Sequence, residues 1–225
     1  MNTRHFIIAL FLCIASTAFS LTVISSSDSG KIIFDITYPD SKLDDQTMAE
    51  MPKETTLLFR GDKTRLEIPL PMGKTVVITD NKTGDVVMLM DMMGSKMAME
   101  MDKEQIIKEK NQSEKPRVQQ TNETKKIAGL LCKRAIVTMQ SKDGEFSFDA
   151  WFTNEINIRN SVSSEIEGIE GFLMEFQTLQ NGMSMKMSAR SFEKVEVSAS
   201  EFEIPEGYQK VTMEDMMNMG AGGGR

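Results

Sequence analysis

The sequence predicts a mainly β fold of the α+β class, in which one curved antiparallel sheet forms a half-barrel with one or two short helices over its concave face. Apolar residues alternate at period two in most segments, which predicts amphipathic strands and a sheet with one apolar face. Short Gly- and Asn-containing turns separate these segments, and such turns favour an antiparallel meander. Helical patterns are few and short, so part of the apolar face is expected to stay uncovered.

The N-terminus has the pattern of a secretory signal peptide. A short positive region precedes the apolar run Phe6–Ala18, and Ala18-Phe19-Ser20 matches a small-x-small cleavage site. No later segment is long and apolar enough for a membrane-spanning helix, so we expect an exported protein, periplasmic or secreted, that does not cross a membrane. The expected parts, in chain order, are the signal peptide 1–20, a flexible leader 21–29, a single β-rich domain 30–211 and a mobile Met/Gly-rich tail 212–225.

The first half of the domain contains alternating segments that predict strands. Segment 41–53 is polar and predicts mostly loop, with a short helix as the alternative. Pro69 and Pro71 predict that the strand Thr64–Leu70 frays or lies at a sheet edge. The predicted strands here are Gly30–Tyr38, Glu54–Arg60, Thr64–Leu70 and Lys74–Asp80, the last followed by an Asn-Lys-Thr-Gly turn.

The segment Val86–Asp102 contains seven of the 20 methionines of the chain. They fall at every second residue on either side of Gly94, so each group lies on one face of a strand and the two strands are expected to pair as a hairpin. The two groups are Met88, Met90 and Met92, and Met97, Met99 and Met101; Met183, Met185 and Met187 repeat the spacing later.

The second half of the domain is predicted to contain two short helices and further strands. The helices are expected at Lys103–Lys110 and Ser161–Glu167, whereas Arg117–Lys126 is polar and predicts no element. The remaining expected elements are β-rich Ile127–Met139, strand Glu145–Thr153, strand Gly171–Leu179, the methionine strand that starts at Met183 and a closing segment Phe202–Tyr208, with hairpin turns at Lys142-Asp143-Gly144 and Gln180-Asn181-Gly182.

Composition excludes several classes of function. The net charge of −7 becomes one unit more negative when Arg4 is removed with the signal peptide, and there is no basic cluster. Nucleic acid and anionic membrane surfaces are therefore not expected partners. The single histidine, His5, also lies in the signal peptide. The mature chain therefore has no histidine for catalysis or for binding a metal. Cys132 is then the only cysteine, and its aliphatic surroundings predict a buried thiol.

Four motifs together carry a family resemblance: GKIIFDITYPD, TNETKKIAGLLCKRAIV, WFTNEI and FEIPEGYQKV. They resemble a family of exported bacterial proteins known only as a domain of unknown function, which is similar in architecture to periplasmic lipoprotein carriers of the LolA/LolB type. The resemblance covers about residues 30–210. It implies a half-barrel whose helices plug an apolar cavity for acyl chains, and it brings no catalytic residues.

The methionine stripes have three possible roles. They can be ordinary core, an adaptable apolar surface for a lipid or the acyl chain of a lipidated protein, or soft ligands for Cu(I) or Ag(I). The candidate ligand-lining residues are Met88, Met90, Met92, Met97, Met99, Met101, Phe146, Phe148, Phe172, Met174, Phe176, Met183, Met185 and Met187. The alternative metal ligands are Met213, Met216, Met217 and Met219 in the tail.

An enzyme is not expected, and no cofactor is implied. The acidic cluster Glu165, Glu167 and Glu170 lies in a predicted solvated loop, and there is neither a phosphate-binding loop nor a nucleophile elbow. Trp151 falls on the strand face opposite Phe146 and Phe148. It is therefore expected either to be exposed as a partner or sugar surface, or to be packed under the helix at 103–110.

Overall fold

The structure of the protein, a computed structural model, describes residues 28–39, 43–102, 104, 115–141, 144–158, 166, 168–180, 183–212 and 215. These residues form twelve strands, one α-helix and one 3-10 helix. The strands are β1 Ser29–Thr37, β2 Glu54–Arg60, β3 Lys63–Leu70, β4 Gly73–Asp80, β5 Asp85–Met92, β6 Ser95–Met101, β7 Arg117–Ile127, β8 Leu130–Ser141, β9 Gly144–Thr153, β10 Phe172–Gln180, β11 Met183–Glu193 and β12 Gln209–Val211. Helix α1 is Asp45–Glu50 and the 3-10 helix is Ala199–Phe202.

All twelve strands belong to one open, curved sheet with the order β12-β6-β5-β4-β3-β2-β1-β11-β10-β9-β8-β7. Strand β1 lies in the middle, with the meander β2–β6 on one side and the meander β7–β11 on the other. Every neighbouring pair is antiparallel except β12 with β6, which is parallel. The predicted fold class, an open and mainly antiparallel curved sheet, is confirmed.

The methionine hairpin forms as predicted. Strands β5 and β6 are joined by Met93 and Gly94, whose φ angles of 52° and 84° are both positive, as a type I′ turn requires. The same geometry recurs between β7 and β8, where Ala128 and Gly129 have φ angles of 48° and 86°. Both turns match the twist of the strands that they connect, which sets the register of each hairpin.

Two local expectations were wrong. Arg117–Lys126 predicted no element, but it forms most of β7 at one edge of the sheet, where polar, exposed side chains protect an unpaired edge. Strand β3, expected to fray or lie at an edge, lies inside the sheet between β2 and β4. Its registered pairs with β2 end at Glu67, two residues before Pro69, so a residue without an N–H group is tolerated there.

The helical expectations concern residues that are largely not described. Of the predicted helices at 103–110 and 161–167, only Glu104 and Ile166 belong to the described residues. The turn residues 142–143 and 181–182 and most of the tail also lie outside them. Segment 41–53, predicted as mostly loop, contains α1, which Asp44 caps by accepting a hydrogen bond from the backbone N–H of Thr47 at 2.9 Å.

The sheet packs two hydrophobic cores. The main core joins β1, β2 and β8–β11 and includes Ile32, Phe34 and Phe176. The second core lies on the face of β4–β6 that carries Val76 and Leu89, and residues 197–208 cover it. The expectation of a single apolar face was therefore wrong for β4–β6, because these strands place apolar residues on both faces. The residues that cover the second core are Val197, Phe202, Ile204 and Tyr208.

Candidate functional site

The strand register divides the side chains of the sheet into two faces. Residues that pair directly across neighbouring strands point to the same face of a sheet. One row of such partners crosses eight strands, from β11 to β12: Phe192, Ile32, Leu57, Leu66, Val77, Met88, Met99 and Val211. The face that carries this row is called the charge-free face below.

Charged side chains are confined to the opposite face. Within the described strands β1–β6, β11 and β12, every Asp, Glu, Lys and Arg except Arg190 alternates with the row defined above and so points away from it. Arg190 is the unpaired residue at the register shift of β11, and its ion pairs place it on the opposite face as well. Their ion pairs show the same segregation. Arg190 bonds to Asp35 at 2.7 Å and to Glu54 at 2.9 Å, across three adjacent strands of the opposite face.

All nine methionines predicted to form stripes lie on the charge-free face. Met88 pairs with Met99 and Met90 with Met97 across the hairpin, while Met187 pairs with Ile36 of β1. Met99 is buried, but most of the others are half-buried, and Met92 is 37% exposed. On β4 and β5 the side chains of this face are thus more accessible than those of the second core behind them.

A cavity of about 200 Å³ opens on the charge-free face between β11, β1, β2 and β3. The connection between β1 and β2 closes one side of it, and the Tyr38 hydroxyl fixes that connection by donating to the Pro52 carbonyl at 2.7 Å. Its lining is Ile36, Tyr38, Met51, Pro52, Thr55, Leu66, Ile68, Met183, Met185 and Met187.

The lining of the cavity is almost entirely apolar. The Thr55 hydroxyl, one of two hydroxyl groups in the lining, donates to the Glu67 carbonyl at 2.7 Å, so its proton is not directed at a guest. Burial raises the pKa of the Tyr38 phenol above its usual value, which keeps that group neutral. The cavity can therefore bury an apolar group, but it offers no charge with which to bind or activate a polar one.

The predicted lining residues divide into three sets. Met183, Met185 and Met187 line the cavity, and the six hairpin methionines lie on the same face two and three strands beyond β3. The third set packs into the main core as part of the interior, with Phe146 half-buried and the others at most 5% exposed: Phe146, Phe148, Phe172, Met174 and Phe176.

Sequence reasoning missed the residues that close the cavity. Met51 and Pro52 fall in a polar segment without periodicity, so no pattern connected them with the sheet. Ile36 and Tyr38 could have been found, because they continue the apolar side of the opening strand that the alternation predicts.

Two other predicted features lie away from the cavity. Cys132 is fully buried and free, as expected, and burial raises the pKa of its thiol to about 11. Trp151 is only 9% exposed, and the Lys125 ammonium lies 4.2 Å from the centre of its ring. The alternative of an exposed Trp151 surface was therefore wrong, because this lysine covers the ring while it is also bound to Glu175 at 3.1 Å.

Two further properties of the described residues concern metal binding and the crossing of a membrane. In the part of the chain that the structure describes, no three His, Cys, Asp or Glu side chains come together as metal ligands. The tail methionines Met213, Met216, Met217 and Met219 lie outside the described residues. Within the described ranges, none of the helices combines the length and apolar content needed to span a bilayer.

A family model described as "N-glycanase peptide, N-terminal domain" matches residues 37–217, which is most of the chain. The chain belongs to this N-glycanase N-terminal domain family. A solved structure of PNGF-II agrees with this N-glycanase N-terminal domain at a TM-score of 0.52 and 16% identity, over 85% of this chain. The match covers 32% of the PNGF-II chain, so the protein described here spans about a third of that length.

A second solved structure, the Mycobacterium tuberculosis lipoprotein LppX, matches this N-glycanase N-terminal domain at a TM-score of 0.35 and 10% identity, over 76% of this chain and 89% of that chain. A comparison with curated proteins finds no match. The family model thus assigns the chain to a family that carries an N-glycanase name. The likeness to LolA/LolB carriers and the exported bacterial nature of the family stay predictions.

Proposed function

We propose that this chain is an exported, non-enzymatic domain that binds an apolar ligand, a lipid or the acyl chain of a lipidated protein, on its charge-free face. The observation that carries the proposal is the segregation of every charged side chain of β1–β6, β11 and β12 to the opposite face, with an apolar cavity on the face that remains. Export is supported by the signal-peptide pattern of residues 1–20.

Binding would be driven by the burial of apolar surface, at roughly 25 cal/mol for each Å² removed from water. Methionine suits such a surface, because its unbranched, polarizable side chain adapts to guests of different shape. The half-buried methionines of the hairpin would move with little strain, while buried Met99 and Met187 anchor the two ends of the face.

The family name raises the question of glycan release, and we propose that this domain has no such activity of its own. Hydrolysis by paired acid and base groups needs two carboxyl groups at one cleft, and neither carboxylates nor histidines line the apolar cavity. A second, more open pocket does contain Asp62, Asp80 and Glu203, but Arg60, Lys63 and Lys82 line it with them, so we assign it no acid–base pair. In a PNGF-II-like protein the domain would serve beside the part that this chain does not span. Incubation with an N-glycosylated peptide should release no glycan, and release by the purified chain would contradict the proposal.

The ligand-binding proposal is tested by native mass spectrometry of the protein purified from its producing cells. We expect a co-purifying acyl species, which Met90→Glu on the charge-free face should remove. Met72→Glu is the matched control, because Met72 is 55% exposed and lies in the β3–β4 connection, not in a strand of that face. Equal ligand content in both variants, or a protein without ligand that also binds no added lipid, would overturn the proposal.

Soft-metal binding is the second candidate, and the hairpin register is what favours it. Met88 lies opposite Met99 and Met90 opposite Met97, and directly opposed side chains have Cβ atoms about 5 Å apart. Thioethers at that spacing can share one Cu(I) or Ag(I) ion. Ag(I) titration should then be lost on replacing these four residues by Leu and kept on replacing Met183, Met185 and Met187; unchanged binding in the first variant would exclude the hairpin.

A further inference from the structure

We infer that the ligand is a single unbranched acyl chain that lies across strands β3–β6 with its methyl end in the cavity, and that its head group is not recognised. This inference rests on the proposed function and specifies what the charge-free face selects. Three features carry it: the size of the cavity, the length of the open part of the face, and the distribution of charge at its far end.

The volume of the cavity matches the end of one acyl chain. A dry cavity of about 150 Å³ holds benzene, so about 200 Å³ accommodates a slightly larger apolar group. That is enough for the terminal part of one acyl chain and too little for two chains side by side. The lining wall nearest the hairpin is formed by Leu66 and Ile68 of β3.

The face beyond this wall is about as long as one acyl chain. Ile68 pairs with Thr75, Thr75 with Met90 and Met90 with Met97, which makes three interstrand spacings or about 14 Å. One acyl chain occupies half of a bilayer hydrocarbon core of roughly 30 Å, which is about 15 Å. A chain whose end lies in the cavity would therefore extend across the methionine hairpin toward Met97, and the longest chains would come nearest to it.

The far end of this path offers no charge. Met97 pairs with Gln209 of β12, and the neighbouring basic residues Lys96 and Lys210 point to the opposite face. There Lys210 binds Glu100 at 2.8 Å and Lys96 lies 5.8 Å from the Tyr208 ring centre. An anionic head group would find no cation on its own side of the described strands β3–β6 and β12, so the face binds the chain and leaves the head group in solvent.

The first test is the dependence of affinity on chain and head, measured by calorimetry with the full chain. For saturated fatty acids the affinity should rise about fourfold with each methylene until the path is filled, and then stop rising. Palmitate, hexadecanol and palmitoyl lysophosphatidylcholine should bind within about threefold of one another. A preference of tenfold or more for one head group, or tighter binding of two-chain lipids, would overturn the inference.

The second test locates the two ends of the chain. Met185→Trp fills the cavity and should weaken both octanoate and palmitate at least tenfold. Met97→Lys places a charge at the far end and should weaken palmitate but not octanoate, whose chain is half as long. Met72→Trp and Met72→Lys are the controls. If octanoate responds to Met97→Lys and not to Met185→Trp, the placement is wrong although the proposed function stands; if no probe binds the unmodified protein, the proposed function itself fails.

Discussion

Met93 shows how one residue can be held in an unfavourable backbone conformation by the hairpin around it. A left-handed φ of 52° costs a side chain with a Cβ about 1–2 kcal/mol. This strain lies in the turn that aligns Met88 with Met99 and Met90 with Met97. Its own side chain is 80% exposed, so packing gives no reason for methionine at this position.

Met93→Asn should stabilise the protein by up to about 1 kcal/mol, because asparagine adopts the left-handed region more readily and is preferred in type I′ turns. Urea unfolding followed by circular dichroism measures the difference. Ala128→Asn in the β7–β8 turn should act in the same direction, since Ala128 has a φ of 48°. Met72→Asn is the control and should change little; a gain at Met72 equal to that at Met93 would contradict the turn argument.

Cys132 should make stability depend on pH in the alkaline range. Burial raises the pKa of its thiol to about 11 in the folded state, above the ordinary value near 9. The folded state thus favours the neutral thiol. The stabilisation of the folded state by this preference is fully present below pH 9 and is lost as the pH rises from 9 to 11. Unfolding free energies of the protein and of Cys132→Ala, measured from pH 8 to 11, should converge over that range. Parallel curves would show that the thiol titrates alike in both states.

At the scale of elements, alternation predicted most of the sheet and failed where a strand has no amphipathic pattern. Strands β1 to β6 lie within one or two residues of their predicted bounds. Strand β7 was missed because an edge strand needs no apolar side. Strand β12 was missed because three residues, Gln209–Val211, are too few for any periodicity and pair with β6 only through the tertiary fold.

The second core depends on the segment 197–208 that precedes β12. Phe202 is 7% exposed and packs against the face of β4–β6 that carries Val76 and Leu89. Phe202→Ala should therefore lower the free energy of unfolding by about 3 kcal/mol, as is typical of a buried aromatic. Val195→Ala, at a side chain that is 40% exposed, should cost less than about 0.5 kcal/mol. Denaturant titration compares the two, and equal losses would mean that the segment is not a packed cover.

At the scale of the whole molecule, the charge-free face was only half visible in the sequence. The alternation of methionines predicted that each trio shares one strand face, but which trios share a face of the sheet depends on the register of eight strands. The cavity also needs Met51 from the β1–β2 connection, and no local pattern places that residue near β11. Long-range pairing and loop packing were therefore the parts that sequence patterns could not supply.

The topology predicts where the sheet opens first. Strand β1 is paired along both edges, with β2 and with β11, whereas β7 has one partner and β12 pairs through three residues. Native-state hydrogen exchange should show the slowest amides in β1 and its two neighbours and the fastest in β7 and β12. Exchange in β1 as fast as in β7 would mean that the two meanders separate at their junction.

The central place of β1 also determines the order in which the molecule can be assembled. The first strand of the chain must wait for β11, about 150 residues later, before both its edges are satisfied. During that interval β1–β6 can form as a sheet whose second face lacks residues 197–208. Contacts of such long sequence separation make folding slow, and exposed apolar surface invites association between chains. The folding chain is thus most prone to associate with other chains before β11 and residues 197–208 have joined the sheet.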